Sequence, residues 1–223
     1  MIILLFGPPG CGKGTQASFI AQRFQIPAIS TGEMFRAECK AGTPLGQQAC
    51  SILKAGGLVG DEIVNQIVAK RILQPDCVSG FLLDGYPRTL DQAKFLSQLL
   101  KDRGLPQPIA IHLEVPADVL VSRITARRQC GQCGHIYNML SQPPKAGEIC
   151  DFDGTPLLRR EDDTEAVVRA RLQAYTKLTG PAVQYYEKAG SHRVDGTGTP
   201  DQISNEIECL LVHACAGADL VSC

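Results

Sequence analysis

The chain opens with Ile2-Ile3-Leu4-Leu5-Phe6, an apolar run without polar alternation, which fits a strand covered on both faces. Residues 13–24 follow as a helix. Ser30-Thr31-Gly32-Glu33 has the Ser-x-x-Glu form of a capping box and predicts a second helix. Ala41-Gly42-Thr43-Pro44-Leu45-Gly46 breaks that helix, and a short helix then runs to Gly56-Gly57. Asp61-Glu62 open another helix, with Ile63, Ile67 and Val68 on one face, up to about Leu73. Phe81-Leu82-Leu83-Asp84 reads as a short buried strand ending in a carboxylate. Ile109–Val115 reads as a further strand, with His112 inside it as a satisfied structural histidine. Residues 117–128 predict a helix. A long helical pattern runs from Thr164 past Tyr175 and resumes after Pro181. Arg193-Val194-Asp195 end the last strand, and residues 201–214 form a closing helix.

Strands near residues 2, 81, 109 and 192, separated by helices, specify an α/β fold with a mostly parallel sheet covered on both faces. Two segments leave this alternation. Residues 30–59 are an all-helical excursion, and residues 127–163 are rich in glycine and proline. Both read as insertions projecting beyond the carboxyl ends of the strands, where open α/β sheets bind ligands and projecting modules act as lids.

A chain of 223 residues can bury one main core with room for a small insertion. The formal net charge of -1 and the absence of a basic stripe argue against a nucleic-acid partner. A charged ligand must therefore be met by locally placed arginines. No apolar stretch reaches membrane-spanning length, and the first run is too short and lacks the basic start of a signal peptide. A cytoplasmic protein is expected. Of the ten cysteines, Cys11, Cys39, Cys50, Cys77, Cys209, Cys215 and Cys223 are scattered singly. Most read as small buried hydrophobes rather than disulfide partners. Cys11 reads as a filler position that would confer sensitivity to thiol reagents.

Between the first strand and the first helix lies Gly7-Pro8-Pro9-Gly10-Cys11-Gly12-Lys13-Gly14-Thr15. Small residues let successive N–H groups converge on an anion, and the helix start adds its positive end. Lys13 supplies a mobile charge for outer phosphates, so the loop points to a nucleoside triphosphate. Gly14 stands where the general pattern places a magnesium-binding Ser or Thr, and Thr15 comes one residue later. Arginines sit at strand ends and insertion roots: Arg36, Arg88, Arg123, Arg127, Arg160 and Arg171. Arg123 and Arg127 are predicted on one face of one helix. Phosphoryl transfer needs this kind of positioning and charge neutralisation more than a nucleophile. Asp84, closing an apolar strand, reads as a magnesium ligand acting through water. The four histidines, His112, His135, His192 and His213, suggest no general base.

Cys130-x-x-Cys133 and Cys150-x-x-Asp153, separated by 16 residues, have the spacing of a closed tetrahedral zinc site of structural type. A Cys130–Cys133 redox pair explains neither Cys150 nor the matching spacing. His135 lies outside the spacing and is a reserve ligand only.

With these residues in hand, the chain resembles the adenylate kinases of the bacterial long-lid, zinc-bearing type. The resemblance runs from Met1 to about His213 and rests on Gly7–Thr15 with Gly-Lys-Gly-Thr, Ser30-Thr31-Gly32, Phe81–Arg88 and Asp195-Gly196-Thr197. It implies a P-loop NTPase-like, parallel five-stranded sheet flanked by helices. Residues 1–29, 60–126 and 164–223 would be the core, 30–59 an NMP-binding module and 127–163 the lid. The implied reaction is reversible, magnesium-dependent transfer of the terminal phosphoryl of ATP to AMP, giving two ADP, in a monomer. By resemblance, Gly10, Cys11, Gly12, Lys13, Gly14, Thr15, Arg123, Arg127, Tyr137 and Gly198 serve ATP. Thr31, Arg36, Leu58, Val59, Gly85, Arg88 and Gln92 serve AMP. Lys13, Asp84, Arg88, Arg123, Arg160 and Arg171 carry the chemistry, with Glu33 on the acceptor side and Asp162 and Asp163 as lid-closure carboxylates. Glu33, Tyr86, Asp153 and Gly198-Thr199 depart from the commoner family residues without removing an expected charge. A kinase preferring another nucleoside monophosphate, a nucleotide-binding switch and a zinc-module interaction protein are the alternatives.

Overall fold

A computed structural model describes residues 1–54 and 59–219. The chain begins β1 (Ile2–Phe6), α1 (Lys13–Phe24), β2 (Ala28–Ser30), and continues through α2 (Thr31–Ala41), α3 (Pro44–Lys54) and α4 (Asp61–Arg71). Next come β3 (Phe81–Asp84), α5 (Leu90–Asp102), β4 (Ile109–Glu114) and α6 (Ala117–Thr125). A small three-stranded antiparallel sheet follows, made of β5 (Arg127–Cys130), β6 (Ile136–Asn138) and β7 (Leu157–Leu158) in the order β6-β5-β7. The chain then returns through α7 (Glu165–Ala174), α8 (Gly180–Glu187), β8 (His192–Asp195) and α9 (Pro200–Asp219).

The main sheet has five parallel strands in the order β2-β3-β1-β4-β8. The continuous apolar run of β1 is explained by its central place, because alternate residues feed two separate cores. Ile2, Leu4 and Phe6 join Leu83 and face α4, α5 and α8 through Val68, Leu96, Leu100 and Ala182. Ile3 and Leu5 join Leu82, Ile111 and Leu113 and face α1, α6 and α9 through Ile20, Leu120, Ile207 and Leu211. All the strands run one way, so their carboxyl ends and the loops that follow them lie along one edge.

Several boundaries differ from the sequence pattern. β2 was not marked by an apolar run, because only Ile29 of its three residues is buried; pairing with β3 makes it a strand. Ser30 precedes α2 with extended backbone, yet its hydroxyl makes no cap hydrogen bond. On α4 the fully buried residues are Val64 and Val68, while Ile63 and Ile67 are only partly buried. The helix expected over 117–128 ends at Thr125, and Arg127 lies on β5, so Arg123 and Arg127 do not share a helix face. The long helix after Thr164 is interrupted by a π turn at Tyr175–Thr179. α9 extends past the expected end, to Asp219. Gly56, Gly57, Leu58 and Cys223 lie outside the described residues.

Cys39 and Cys50, expected as single thiols, are joined by a disulfide that links α2 to α3. The two helices form an antiparallel hairpin closed by the short Gly42-Thr43 turn, which brings positions far apart in the pattern side by side. Cys11 and Cys77 are buried free thiols as expected, and Cys209 is exposed. Cys11 is closed to solvent, and burial raises its pKa.

The two cores are testable separately. Leu82→Ala and Leu83→Ala should each lower unfolding free energy by about 2–5 kcal/mol in denaturant titrations. A loss at only one of the two neighbours would contradict a sheet packed on both faces.

Candidate active site

The glycine loop bridges β1 and α1 at the ligand edge. Gly10 has φ of +82°, and a Cβ there would lie 2.5 Å from Ile124 Cγ1, so only glycine fits this approach. Gly12, also at positive φ, precedes α1 as its cap residue, and its carbonyl accepts from the Gln16 N–H. The first N–H groups of α1, at Lys13, Gly14 and Thr15, have no carbonyl a turn earlier and can meet an anion. Gly14 and Thr15 are exposed. Lys13 folds back on its own loop, its Nζ donating to the carbonyls of Gly7 at 2.7 Å and Pro8 at 3.0 Å.

The turn after β3 is held by hydrogen bonds on nearly every polar atom. The Gly85 carbonyl accepts from Thr31 Oγ1 at 2.8 Å and Arg88 Nε at 2.7 Å. The Arg88 N–H donates to Gln92 Oε1 at 2.7 Å, and Gln92 Nε2 donates to Asp61 Oδ1 at 2.8 Å. Thr89 caps α5 through its hydroxyl oxygen and donates to Asp61 Oδ2 at 2.6 Å. Gln92 is thus buried with both ends of its amide engaged, and it fixes the turn that presents Arg88. Asp61 was read only as a helix-opening acid; its part in this network has no signal in sequence spacing. Val59 is buried in the core beneath this turn. The Asp84 carboxylate makes no hydrogen bond or ion pair among the described residues, although it raises the pKa of Arg88 against the effect of burial.

Five guanidiniums, those of Arg36, Arg88, Arg127, Arg160 and Arg171, lie close enough to act on one another electrostatically. Burial lowers the pKa of Arg88 and Arg171 and lowers that of Arg160 to about 10, with neighbouring arginines adding to the shift. Two carboxylates answer them. Asp163, 0% exposed, takes Arg127 in a two-pronged pair at 2.5 and 2.8 Å. Asp162 takes Arg171 at 2.9 Å. Arg160 Nε donates to Gln129 Oε1 at 2.6 Å, and Arg159 donates to the Asp163 carbonyl at 2.5 Å; neither Gln129 nor Arg159 was singled out in the sequence.

Arg123 stands apart, donating from Nη1 to the Gly196 carbonyl at 2.7 Å and from Nη2 to the Thr197 carbonyl at 3.2 Å. It fixes the turn after β8 that leads to Gly198. Tyr137 pairs opposite Arg128 on β6, so it shares a face with Cys130 and not with Arg127 or Gln129. Its hydroxyl donates to Cys150 Sγ at 3.6 Å and accepts from the Asp151 N–H at 2.8 Å, inside the lid core.

The ligand atoms of Cys130, Cys133, Cys150 and Asp153 all lie within 4.8 Å of one another. A tetrahedral zinc with Zn–S bonds of about 2.3 Å would set its sulfurs about 3.8 Å apart. Cys133 and Cys150 Sγ are 3.6 Å apart, and Asp153 Oδ2 is 3.2 Å from Cys130 Sγ, so the donor set fits such an ion. The two halves are built alike: Gly134 N–H donates to the Cys130 carbonyl and Gly154 N–H to the Cys150 carbonyl. His135 packs against the rings of Tyr137 and Phe152 beside the cluster. No helix among the described residues is long and apolar enough to cross a membrane.

Comparison with known proteins agrees with this layout. The family model described as adenylate kinase matches residues 5–191. The adenylate kinase of Moorella thermoacetica is 50% identical over 198 residues, covering 88% of this chain and 91% of that protein. That of Thermosipho melanesiensis is 47% identical over 208 residues, covering 93% and 97%. That of Trichlorobacter lovleyi is 46% identical over 214 residues, covering 96% and 100%. A glycine loop at one strand end, a group of partly buried arginines and this match over most of the length lead to one conclusion: the chain belongs to the adenylate kinase family, enzymes that interconvert ATP plus AMP and two ADP.

Proposed function

We propose that ATP lies along the glycine loop, AMP lies against the Thr31 and Gly85–Gln92 wall, and the arginine group neutralises the terminal phosphoryl as it passes directly from the ADP oxygen to the AMP phosphate oxygen. The observation that supports this most is the set of five mutually repelling guanidiniums beside a helix start. Such a charge density is relieved by a polyanion. The N–H groups of Gly10, Cys11, Gly12, Lys13, Gly14 and Thr15 hold the ATP phosphates, and Lys13 exchanges the carbonyls of Gly7 and Pro8 for phosphate oxygens. Arg123, by holding Gly196 and Thr197, keeps the Gly198 backbone beside the base. Arg36 and Arg88 receive the AMP phosphate, with Thr31, Gly85, Val59 and Gln92 shaping that side. Arg127, Arg160 and Arg171 surround the transferring group.

The acceptor oxygen of AMP is already anionic, so transfer requires alignment and charge neutralisation rather than a base or a covalent intermediate. Asp84, whose carboxylate is not taken up by another side chain, would hold magnesium through water, and the ion would neutralise charge on the outer phosphates. Zinc held by Cys130, Cys133, Cys150 and Asp153 would be structural, since four protein ligands leave no open position. The segment at 30–59, which carries α2 and α3, and the lid at 127–163 act as closing modules that exclude water. A cytoplasmic monomer is the working state proposed.

In a coupled assay with ATP and magnesium, AMP should be the preferred acceptor over GMP, CMP and UMP. Lys13→Ala should lower kcat/KM by about 10²–10³-fold, the scale set by one charge-stabilising donor. Equal transfer to all four acceptors, or full turnover in Lys13→Ala, would overturn the reading.

Stripping the zinc with a chelator, then removing the chelator and restoring magnesium, should lower Tm relative to zinc-loaded protein treated alike, while leaving transfer intact at low temperature. Transfer lost in a protein that remains folded would make the ion catalytic instead.

Asp163→Asn removes the buried partner of Arg127, so it should cost about 3–5 kcal/mol of stability in denaturant titrations. A change below about 1 kcal/mol would show that the pair is a solvated surface contact.

A further inference from the structure

His112 lies on β4 opposite Phe6, the residue that leads into the glycine loop. Its Nε2 is 3.0 Å from the Tyr175 hydroxyl. Its Nδ1 is buried without a hydrogen bond, and Glu114 Oε1 lies just beyond that range at 3.6 Å. The histidine is therefore only half satisfied, against the expectation from sequence. Burial lowers the His112 pKa and raises that of Tyr175, so both are neutral near pH 7. Glu114 on the same strand, Arg193 on β8, Glu187 on α8 and Lys13 at the start of α1 face the ring. Glu114 and Glu187 also pair with Arg193, at 3.2 and 2.7 Å. With the ring proton on Nδ1, toward the Glu114 carboxylate, Nε2 is free to accept from the Tyr175 hydroxyl.

Tyr175 begins the π turn between α7 and α8, and its backbone N–H donates to the Arg171 carbonyl. It therefore stands one turn beyond Arg171 on the same run of helix. A π turn adds a residue to the helical ring and rotates whatever lies on one side of it relative to the other, by about 100° per residue. α8 is anchored on the core through Ala182, Val183 and Tyr186, whereas among α7 residues only Val168 is fully buried. Where the π turn is pinned thus sets the position of the Arg171 backbone, from which the guanidinium reaches Asp162 at 2.9 Å.

We propose that His112 is a positioning residue for phosphoryl transfer: its bond to Tyr175 pins the π turn to the sheet beneath the glycine loop and so aims Arg171 at the transferring group. This rests on the role proposed above for Arg171. The group lies outside the lid and the metal cluster, and it touches no phosphate itself.

The test is steady-state ATP-plus-AMP kinetics on the full chain, run below each variant's Tm. His112→Leu and Tyr175→Phe should each lower kcat about tenfold while KM for ATP and AMP stays within about twofold, since a displacement near 1 Å costs up to 10² in rate. The double variant should be no slower than the slower single variant. His112→Gln, whose amide can still accept from the tyrosine, should recover most of the rate. Tyr175→Phe removes a single oxygen and carries the test should His112→Leu fail to fold. Arg171→Ala separates the two claims. If it abolishes turnover while Tyr175→Phe keeps wild-type kcat, the positioning role is wrong and the arginine's role stands. If Arg171→Ala keeps full turnover, the arginine's role falls and this inference with it. Additive losses in the double variant, or a lowered Tm with unchanged kcat, would also overturn it.

Discussion

Mutual repulsion among partly buried guanidiniums is the constraint on which the rest of this structure depends. Arg36, Arg88, Arg127, Arg160 and Arg171 come from five different stretches of chain, and each lies in the field of others. Removing such charges from water is costly, and crowding them adds to the cost. Asp162 and Asp163 compensate two of them directly, and Asp84 acts at longer range. The remainder is a surplus of positive charge. A polyphosphate supplies the matching charge in a form that a planar guanidinium fork can grip.

The scaffold explains how that surplus can be held still. Parallel strands deliver the glycine loop, the Asp84 turn and the turn after β8 to one edge. Behind that edge, side chains that touch no ligand fix those that would. Asp61 holds Thr89 and Gln92, Gln92 holds the Arg88 backbone, and Gln129 holds Arg160. The small sheet of β5, β6 and β7 is too thin for a core of its own beyond Tyr137, Leu157 and two cysteines, so a metal-sized cluster takes the place of apolar burial.

The parts of this layout encoded locally were legible in the sequence. The β1 run, the glycine loop and the lysine follow one another without interruption, and the cysteine spacing alone marked the four residues that the fold brings together. What escaped was decided by partners distant in sequence. Nothing between Thr125 and Arg127 breaks a helical pattern; pairing with Asn138 makes Arg127 a strand residue. Cys39 and Cys50 meet because two helices fold back on each other. Asp61 and Gln129 look like ordinary surface residues until the turn and the lid arrive beside them. Tyr137 was expected at the ATP side, and the alternation of β6 turns it inward toward the cysteines instead.

The central claim is that one continuous cleft holds two phosphate chains end to end. A crystal structure of the chain soaked with a dinucleoside pentaphosphate tests it directly. Density for five phosphates should run from the N–H groups of the glycine loop, past Arg171, to Arg36 and Arg88, with an adenosine at each end. A ligand bound at one end only with its second nucleoside in solvent, or seated away from these arginines, would contradict it.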